Sequence, residues 1–149
     1  MQNKLPFHFD METADPDDSM TLAVLATHPK VHLASVSVHP GGKDQIGFVK
    51  RVLQILDRED VRVGAGTPKS SASRVSGFYQ DWIGKFEESE ADDTAANVMN
   101  ETLHQFPDCT LLTGAALTNP HSLWETGVFF DRWFCQCGFA GDNIIPKEH

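Results

Sequence analysis

The chain has 149 residues, 40% of them hydrophobic and 22% charged, which predicts one ordinary globular domain with a real core. The formal net charge is −9 and the basic residues are scattered, so the clustered cations of a nucleic-acid-binding surface are missing. The sequence has no run of eighteen apolar residues and no leader-like start, so we predict neither a membrane span nor a signal peptide. Three cysteines, an odd number, favour free thiols in a reducing cytoplasm over a disulfide framework.

The first part of the sequence alternates strand-like and helical patterns. A short apolar strand runs directly into acidic residues, and the helix after it is apolar all round, which predicts that it is buried. A β-branched strand, an amphipathic surface helix and a short third strand follow. The predicted segments are strand 5–9, helix 17–28, strand 31–38, helix 46–56 and strand 61–65.

The second part begins with an irregular excursion over 67–93, with a short helix near Trp82. A helix at 94–106 and a strand at 109–113 follow, and Thr118 and Asn119 offer a cap for a short helix through Trp124. The last strand is 133–137. We interpret the aromatic residues around it as core, namely Trp124, Phe129, Phe130, Trp133 and Phe134.

This alternation predicts an α/β fold with a mostly parallel sheet and helices on both faces, in one domain over 1–149. In such folds, ligands bind beyond the carboxyl ends of the strands. That rule selects four segments: 10–18, 40–43, 113–119 and 138–148.

The first of these segments, D-M-E-T-A-D-P-D-D, places five carboxylates in nine residues directly after a strand: Asp10, Glu12, Asp15, Asp17 and Asp18. Like charges this close repel one another unless a cation or protons intervene. Negative charge at a helix N-terminus explains Asp17 and Asp18 but not the other three. The pattern therefore favours a site for a hard cation such as Ca²⁺, which takes oxygen ligands.

The same segment, followed by T-L-A-V-L-A-T-H-P, resembles the N-terminal signature of nucleoside hydrolases, D-x-D-P-G-x-D-D. Two further segments come in the family's order. T-G-A-A-L-T-N at 113–119 is similar to the T-G-x-L-T-N loop, and G-F-A-G-D-N-I-I-P-K-E-H at 138–149 to the G-G…G-N…E-F-N loop. Each follows a predicted strand.

The resemblance implies a nucleoside-hydrolase-like fold and hydrolysis of the N-glycosidic bond of ribonucleosides around a bound Ca²⁺. It implies that Asp17 is the catalytic base and that Asp18, Glu12 and the carbonyl of Thr113 are metal ligands. Asp10 matches an orienting residue. The remaining matches, to ribose-hydroxyl contacts, are Asn143 and Glu148.

The sequence also departs from the family pattern. One extra residue separates Asp10 from Asp18, so Asp15 competes with Glu12 for the ligand role, and Cys137 replaces a glycine. The resemblance covers about the first half of a typical member. We therefore expect a truncated domain that lacks the further acidic ligand and the histidine of the family's second half. As its partner we expect a second copy of the chain, in a homo-oligomer, or a missing C-terminal half.

Two other functions remain open. Residues 10–13, D-M-E-T, resemble the D-x-D-x-T nucleophile loop of haloacid-dehalogenase-like phosphatases, although Glu12 stands where that loop has aspartate. A non-catalytic remnant or interaction module is the third possibility, because half of a parallel sheet would leave an apolar edge or face uncovered.

Overall fold

A computed structural model describes residues 4–68 and 75–136, which form a six-stranded parallel sheet. The strands are β1 (Leu5–Met11), β2 (Val31–Val38), β3 (Arg62–Ala65), β4 (Asp93–Thr94), β5 (Thr110–Thr113) and β6 (Arg132–Cys135). Their order across the sheet is β4-β3-β2-β1-β5-β6, and every neighbouring pair is parallel. The predicted α/β class is confirmed.

The helices of the described residues are α1 (Pro16–Thr27), α2 (Lys43–Ile55), α3 (Tyr79–Ile83), α4 (Ala95–Gln105) and α5 (Thr118–Trp124). Helices α1 and α2 pack together on one side, and α4 packs against α5, β2 and β3. Successive side chains of β1 point to opposite faces of the sheet. Phe9 and Met11 point to the face covered by α1 and join the core cluster that contains Leu22 and Leu25. His8 and Asp10, which alternate with Phe9 and Met11, face the side of α4 and α5, where His8 is linked to Thr102 through Ser35 and Asp10 bonds Asn119.

Two expectations about burial are wrong. Helix α1 is not buried all round, since Met20 and Val24 are 57% and 59% exposed. Only one face of α1 lies on the sheet, and an apolar composition cannot tell which residues that face includes. In the aromatic cluster, Phe130 is buried but Phe129 and Phe134 are each 62% exposed. Phe134 lies on β6, the edge strand of the described sheet, and Phe129 lies in the segment before it.

The boundaries differ at two places that matter for the site. Strand β1 continues to Met11, so Asp10 lies inside a strand and not in the loop after it. The two-residue strand β4 is an addition to the predicted elements, and Thr94 at its end caps α4 by accepting the N–H of Asn97 at 3.3 Å. None of the helices in the described part of the chain has the length and apolar character to cross a bilayer.

Strand β1 is where the order of the sheet reverses. The chain proceeds outward from β1 through β2 and β3 on one side, and β5 and β6 lie on the other. Crossover connections on the two sides run over opposite faces, which opens a crevice at the carboxyl ends of β1 and β5. That crevice is the expected place for a ligand.

Candidate active site

The crevice is lined by polar groups from four elements. Asp10 near the end of β1 is in register with Thr113 at the end of β5. Asp18 comes from the first turn of α1, and Asn119 from the first turn of α5. All four residues are at most 4% exposed, so residues far apart in sequence form one buried cluster of polar side chains.

Asp10 is fully buried, and only one of its two carboxylate oxygens has hydrogen-bond partners among the described residues. Its Oδ1 accepts hydrogen bonds from Ser37 Oγ at 2.5 Å and Asn119 Nδ2 at 2.8 Å. Its Oδ2 has no hydrogen-bond partner among the described residues. Burial raises the pKa of Asp10 to about 7, and the charge of Asp18 adds to that rise, while the two side-chain donors oppose it.

Asp18 reaches into the same crevice from α1. Its Oδ2 accepts the backbone N–H of Glu12 at 2.9 Å. Burial raises the pKa of Asp18 to about 6, against the effect of that hydrogen bond and with smaller contributions from the charges of Asp17 and Glu12. The carboxylate lies so close to Gly114 that a Cβ there would be 2.0 Å from Oδ1. A side chain at this glycine would displace Asp18.

The acidic loop between Asp10 and Asp18 is closed by Glu12. Its two carboxylate oxygens accept the N–H groups of Ala14 at 2.6 Å and Asp15 at 3.2 Å. The side chains of Asp15 and Asp17 are exposed. The structure therefore brings Asp10, Asp18 and Thr113 together and leaves Asp15 and Asp17 at the rim.

Thr113 is buried with both of its oxygens engaged. Its Oγ1 accepts Trp133 Nε1–H at 3.1 Å, and its carbonyl accepts the N–H of Gln136 at 2.9 Å. A carbonyl oxygen has two lone pairs, so the Thr113 carbonyl retains one for a further partner. Of the residues assigned from the resemblance, Asn143 and Glu148 lie outside the described residues, as does Cys137.

Two site residues were missed or misassigned from the sequence. Asn119 was expected to cap α5, but Leu117 is at the N-cap position and the Asn119 side chain bonds Asp10 instead. Its place at the end of the T-G-A-A-L-T-N segment was the available signal. Ser37 was overlooked, although a serine within the apolar end of V-H-L-A-S-V-S-V is a buried polar group that needs a partner.

The residues present suit a hard cation only in part. Within 4–68 and 75–136, no three His, Cys, Asp or Glu side chains are grouped closely enough to hold a metal ion. The candidate donors at the crevice are Oδ2 of Asp10, which has no partner in 4–68 and 75–136, the carboxylate of Asp18 and the second lone pair of the Thr113 carbonyl. These are oxygen donors, the kind that Ca²⁺ takes, and two of them are carboxylates whose charges repel. They supply part of the six to eight ligands of Ca²⁺.

Comparisons with known proteins agree with this fold. No family model matches the chain. An uncharacterised protein of Aquifex aeolicus (strain VF5) is 30% identical over 144 residues, which cover 93% of this chain and 48% of that protein. An inosine-uridine preferring nucleoside hydrolase from Bacillus anthracis superposes with a TM-score of 0.68 at 20% identity, over 97% of this chain and 55% of that one.

A plant nucleoside hydrolase superposes with a TM-score of 0.63 at 18% identity, over 82% of this chain and 43% of that enzyme. At these identities the superpositions establish the fold, which this chain shares with the matched part of nucleoside hydrolases. The chain spans about half the length of the proteins that it matches.

Proposed function

We propose that the chain carries the ribose- and cation-binding part of a nucleoside hydrolase site and serves hydrolysis of the N-glycosidic bond of ribonucleosides. One observation carries the proposal. The buried Oδ2 of Asp10, which has no hydrogen-bond partner among the described residues, lies beside Asp18 at the switch point of a sheet with the fold of solved nucleoside hydrolases. A buried carboxylate oxygen without a donor is costly, and a bound cation would offset that cost.

In this proposal Asp10, Asp18 and the Thr113 carbonyl would hold Ca²⁺, and Glu12 or Asp15 would add a further ligand after a change of rotamer. Bound Ca²⁺ would hold the ribose hydroxyls and lower the pKa of a water molecule. Ser37 and Asn119 would fix the orientation of Asp10 through Oδ1. Asn143 and Glu148 are proposed to contact the ribose.

Asp17 is the proposed base that takes the proton of the attacking water. It stands in the first turn of α1 beside Asp18, and its side chain is exposed, so solvent and substrate can reach it. Glu12 is a competing choice, because its carboxylate is held in the loop by two N–H groups. The variants Asp17→Asn and Glu12→Gln, compared by ribose release, separate the two.

Hydrolysis also requires stabilisation of the departing base, because general acid catalysis, the donation of a proton to the leaving group, typically raises a rate by roughly 10²- to 10⁴-fold. The chain spans about half of its matched relatives. We therefore propose that full activity needs a second copy of the chain or a further segment, and that turnover by these 149 residues alone is very slow.

The test is calorimetric titration of inosine and uridine into the protein with and without Ca²⁺, alongside a ribose-release assay. Binding of either nucleoside should require Ca²⁺ and should be lost in Asp18→Asn, with Asp131→Asn as an exposed control. Equal heats with and without Ca²⁺, or in the wild type and Asp18→Asn, would contradict the proposal.

A non-catalytic interaction module is the second candidate, favoured by an apolar groove between α1, α2 and α3. Met20, Ile55 and Trp82 on its walls are 57%, 47% and 56% exposed. Exposed apolar side chains grouped in this way are common at docking sites, and we propose a second copy of the chain as the partner. Light scattering after size exclusion tests it, since a dimer broken by Trp82→Gln would support the candidate and a wild-type monomer would remove it.

A further inference from the structure

A chain of buried polar side chains connects Asp10 to helix α4. It runs from Asp10 through Ser37 at 2.5 Å to Nε2 of His8 at 2.9 Å. It continues from Nδ1 of His8 to Ser35 at 2.6 Å and from there to Thr102 Oγ1 at 2.5 Å. All five residues are at most 5% exposed. Each hydrogen bond in the chain must therefore use a proton that the chain itself carries.

The chain is built by the pairing of β1 with β2. His8 lies opposite Ser35 and Asp10 lies opposite Ser37, so one imidazole ring bridges two hydroxyl groups on the neighbouring strand. The ring of Phe130 packs beside that of His8, with centroids 5.9 Å apart. The imidazole is thus held in a fixed place between the two serines, and the proposed function leaves it without a role.

Counting protons from the Asp10 end gives one tautomer of His8. A serine hydroxyl has a single proton, and Ser37 donates it to Asp10. Ser37 must then accept from His8, which requires a proton on Nε2. The His8 ring is fully buried between two hydroxyl groups and the ring of Phe130, and none of these contacts compensates a positive charge, so the ring is neutral and has no second proton for Nδ1. Nδ1 then accepts from Ser35.

Counting from the other end gives the opposite tautomer. Thr102 Oγ1 lies 2.7 Å from the carbonyl of Val98, to which it can donate. Ser35 would then donate to Thr102 and accept from Nδ1–H of His8. A neutral ring has one N–H and cannot donate to both serines, so the hydrogen bonds Ser37–Asp10 and Thr102–Val98 cannot both form.

The bond at Val98 is the weaker one. Its carbonyl lies inside α4 and already accepts a helical N–H, whereas Oδ1 of Asp10 is a buried carboxylate oxygen. Without the Ser37 hydrogen bond, the fully buried Asp10 carboxyl would keep Asn119 alone as a donor among the described residues, whereas the Val98 carbonyl would keep its helical N–H. The donors therefore run from Thr102 through Ser35 and His8 toward Asp10.

We infer that His8 is a positioning residue of the site, held as the neutral Nε2–H tautomer that directs the Ser37 hydroxyl onto Asp10. Because Ser37 and Asn119 both bond Oδ1, the arrangement leaves Oδ2 of Asp10 without a donor in the described part of the chain. The inference deepens the proposed function, since Asp10 belongs to that site. The tautomer can nevertheless be measured whether or not the protein binds a nucleoside.

The experiment is ¹⁵N NMR of the imidazole rings in the full chain at pH 8.5, where a bare nitrogen and an N–H nitrogen resonate far apart. His8→Gln identifies the His8 signals by their loss. The wild type should show a protonated Nε2 and a bare Nδ1. Ser37→Ala should reverse the tautomer, because Nδ1–H can then donate through Ser35 and Thr102 to Val98.

Ser35→Ala is the matched control. It makes the same chemical change on the same strand, two residues away, and should keep the wild-type tautomer, because the bonds from Nε2 through Ser37 to Asp10 remain. Circular dichroism of both variants checks that they fold. A wild-type Nδ1–H or doubly protonated ring, or one tautomer shared by both variants, would overturn the inference. A failure of the nucleoside titrations with the expected tautomers intact would remove the proposed function alone.

Discussion

The carboxylate of Asp18 occupies the space that any side chain at Gly114 would need. A Cβ on Gly114 would lie 2.0 Å from Oδ1 and 2.6 Å from Oδ2 of Asp18. Gly114 directly follows β5 and Asp18 lies in the first turn of α1, so the absence of a side chain at Gly114 lets the carboxylate of Asp18 reach the crevice. This relationship ties a glycine of the T-G-A-A-L-T-N segment to the acidic loop.

Gly114→Ala should therefore displace Asp18 and weaken Ca²⁺ binding by about tenfold or more, equivalent to roughly 1.4 kcal/mol. Calorimetry with CaCl₂ measures the loss. Gly77→Ala is the control, because a Cβ at Gly77 meets no atom of the described residues within 4 Å. Unchanged Ca²⁺ affinity in Gly114→Ala would show that the position of Asp18 does not matter for the cation.

Ca²⁺ should stabilise the protein, and Asp18 should be required for this. Binding to the folded state alone raises the free energy of unfolding by roughly 2.7 kcal/mol at one hundred times the dissociation constant. Thermal unfolding followed with increasing CaCl₂ should show a rising Tm for the wild type and a flat one for Asp18→Asn. A Tm that rises equally in both proteins would place the cation elsewhere.

Without a cation, stability should fall as pH rises from about 4 to about 7. Burial raises the pKa of Asp10 to about 7 and that of Asp18 to about 6, both above the ordinary value of 3.8. A carboxyl with a raised pKa in the folded state stabilises the fold while it is protonated, and this contribution is lost as it ionises.

Asp10→Asn should therefore lose less free energy of unfolding between pH 4.5 and pH 8 than the wild type, by up to roughly 3 kcal/mol. Urea denaturation in the presence of a chelator measures both proteins. The exposed Asp131→Asn serves as the control and should follow the wild type. An identical decrease in the wild type and Asp10→Asn would mean that Asp10 titrates normally.

Asp10 should not form a phosphoenzyme. Its carboxylate is fully buried and Oδ1 is engaged by two donors, whereas a phosphatase nucleophile must be reached by a phosphate ester. A crystal structure after incubation with Mg²⁺ and beryllium fluoride should show Asp10 without an adduct. A fluoroberyllate on Asp10 would instead support the haloacid-dehalogenase-like alternative.

Sequence patterns were informative wherever a signal was local. The bounds of β2, 31–38, match the predicted strand, and strand-helix alternation indicated a parallel sheet with its ligand crevice at the carboxyl ends. The concentration of acids at 10–18 pointed to the same crevice. Each of these signals depends on a few neighbouring residues, whose periodicity or charge is visible without knowing the fold.

Only the tertiary structure decided which of those acids meet. Asp10 and Asn119 are 109 residues apart, and they bond because β1 and β5 are neighbours in the sheet. The chain of hydrogen bonds through His8 likewise needs the register of β1 with β2. Local periodicity reports whether a helix has an apolar face, as in α1, but not which neighbour covers it, so the exposure of Met20 and the burial of Asp18 depended on packing.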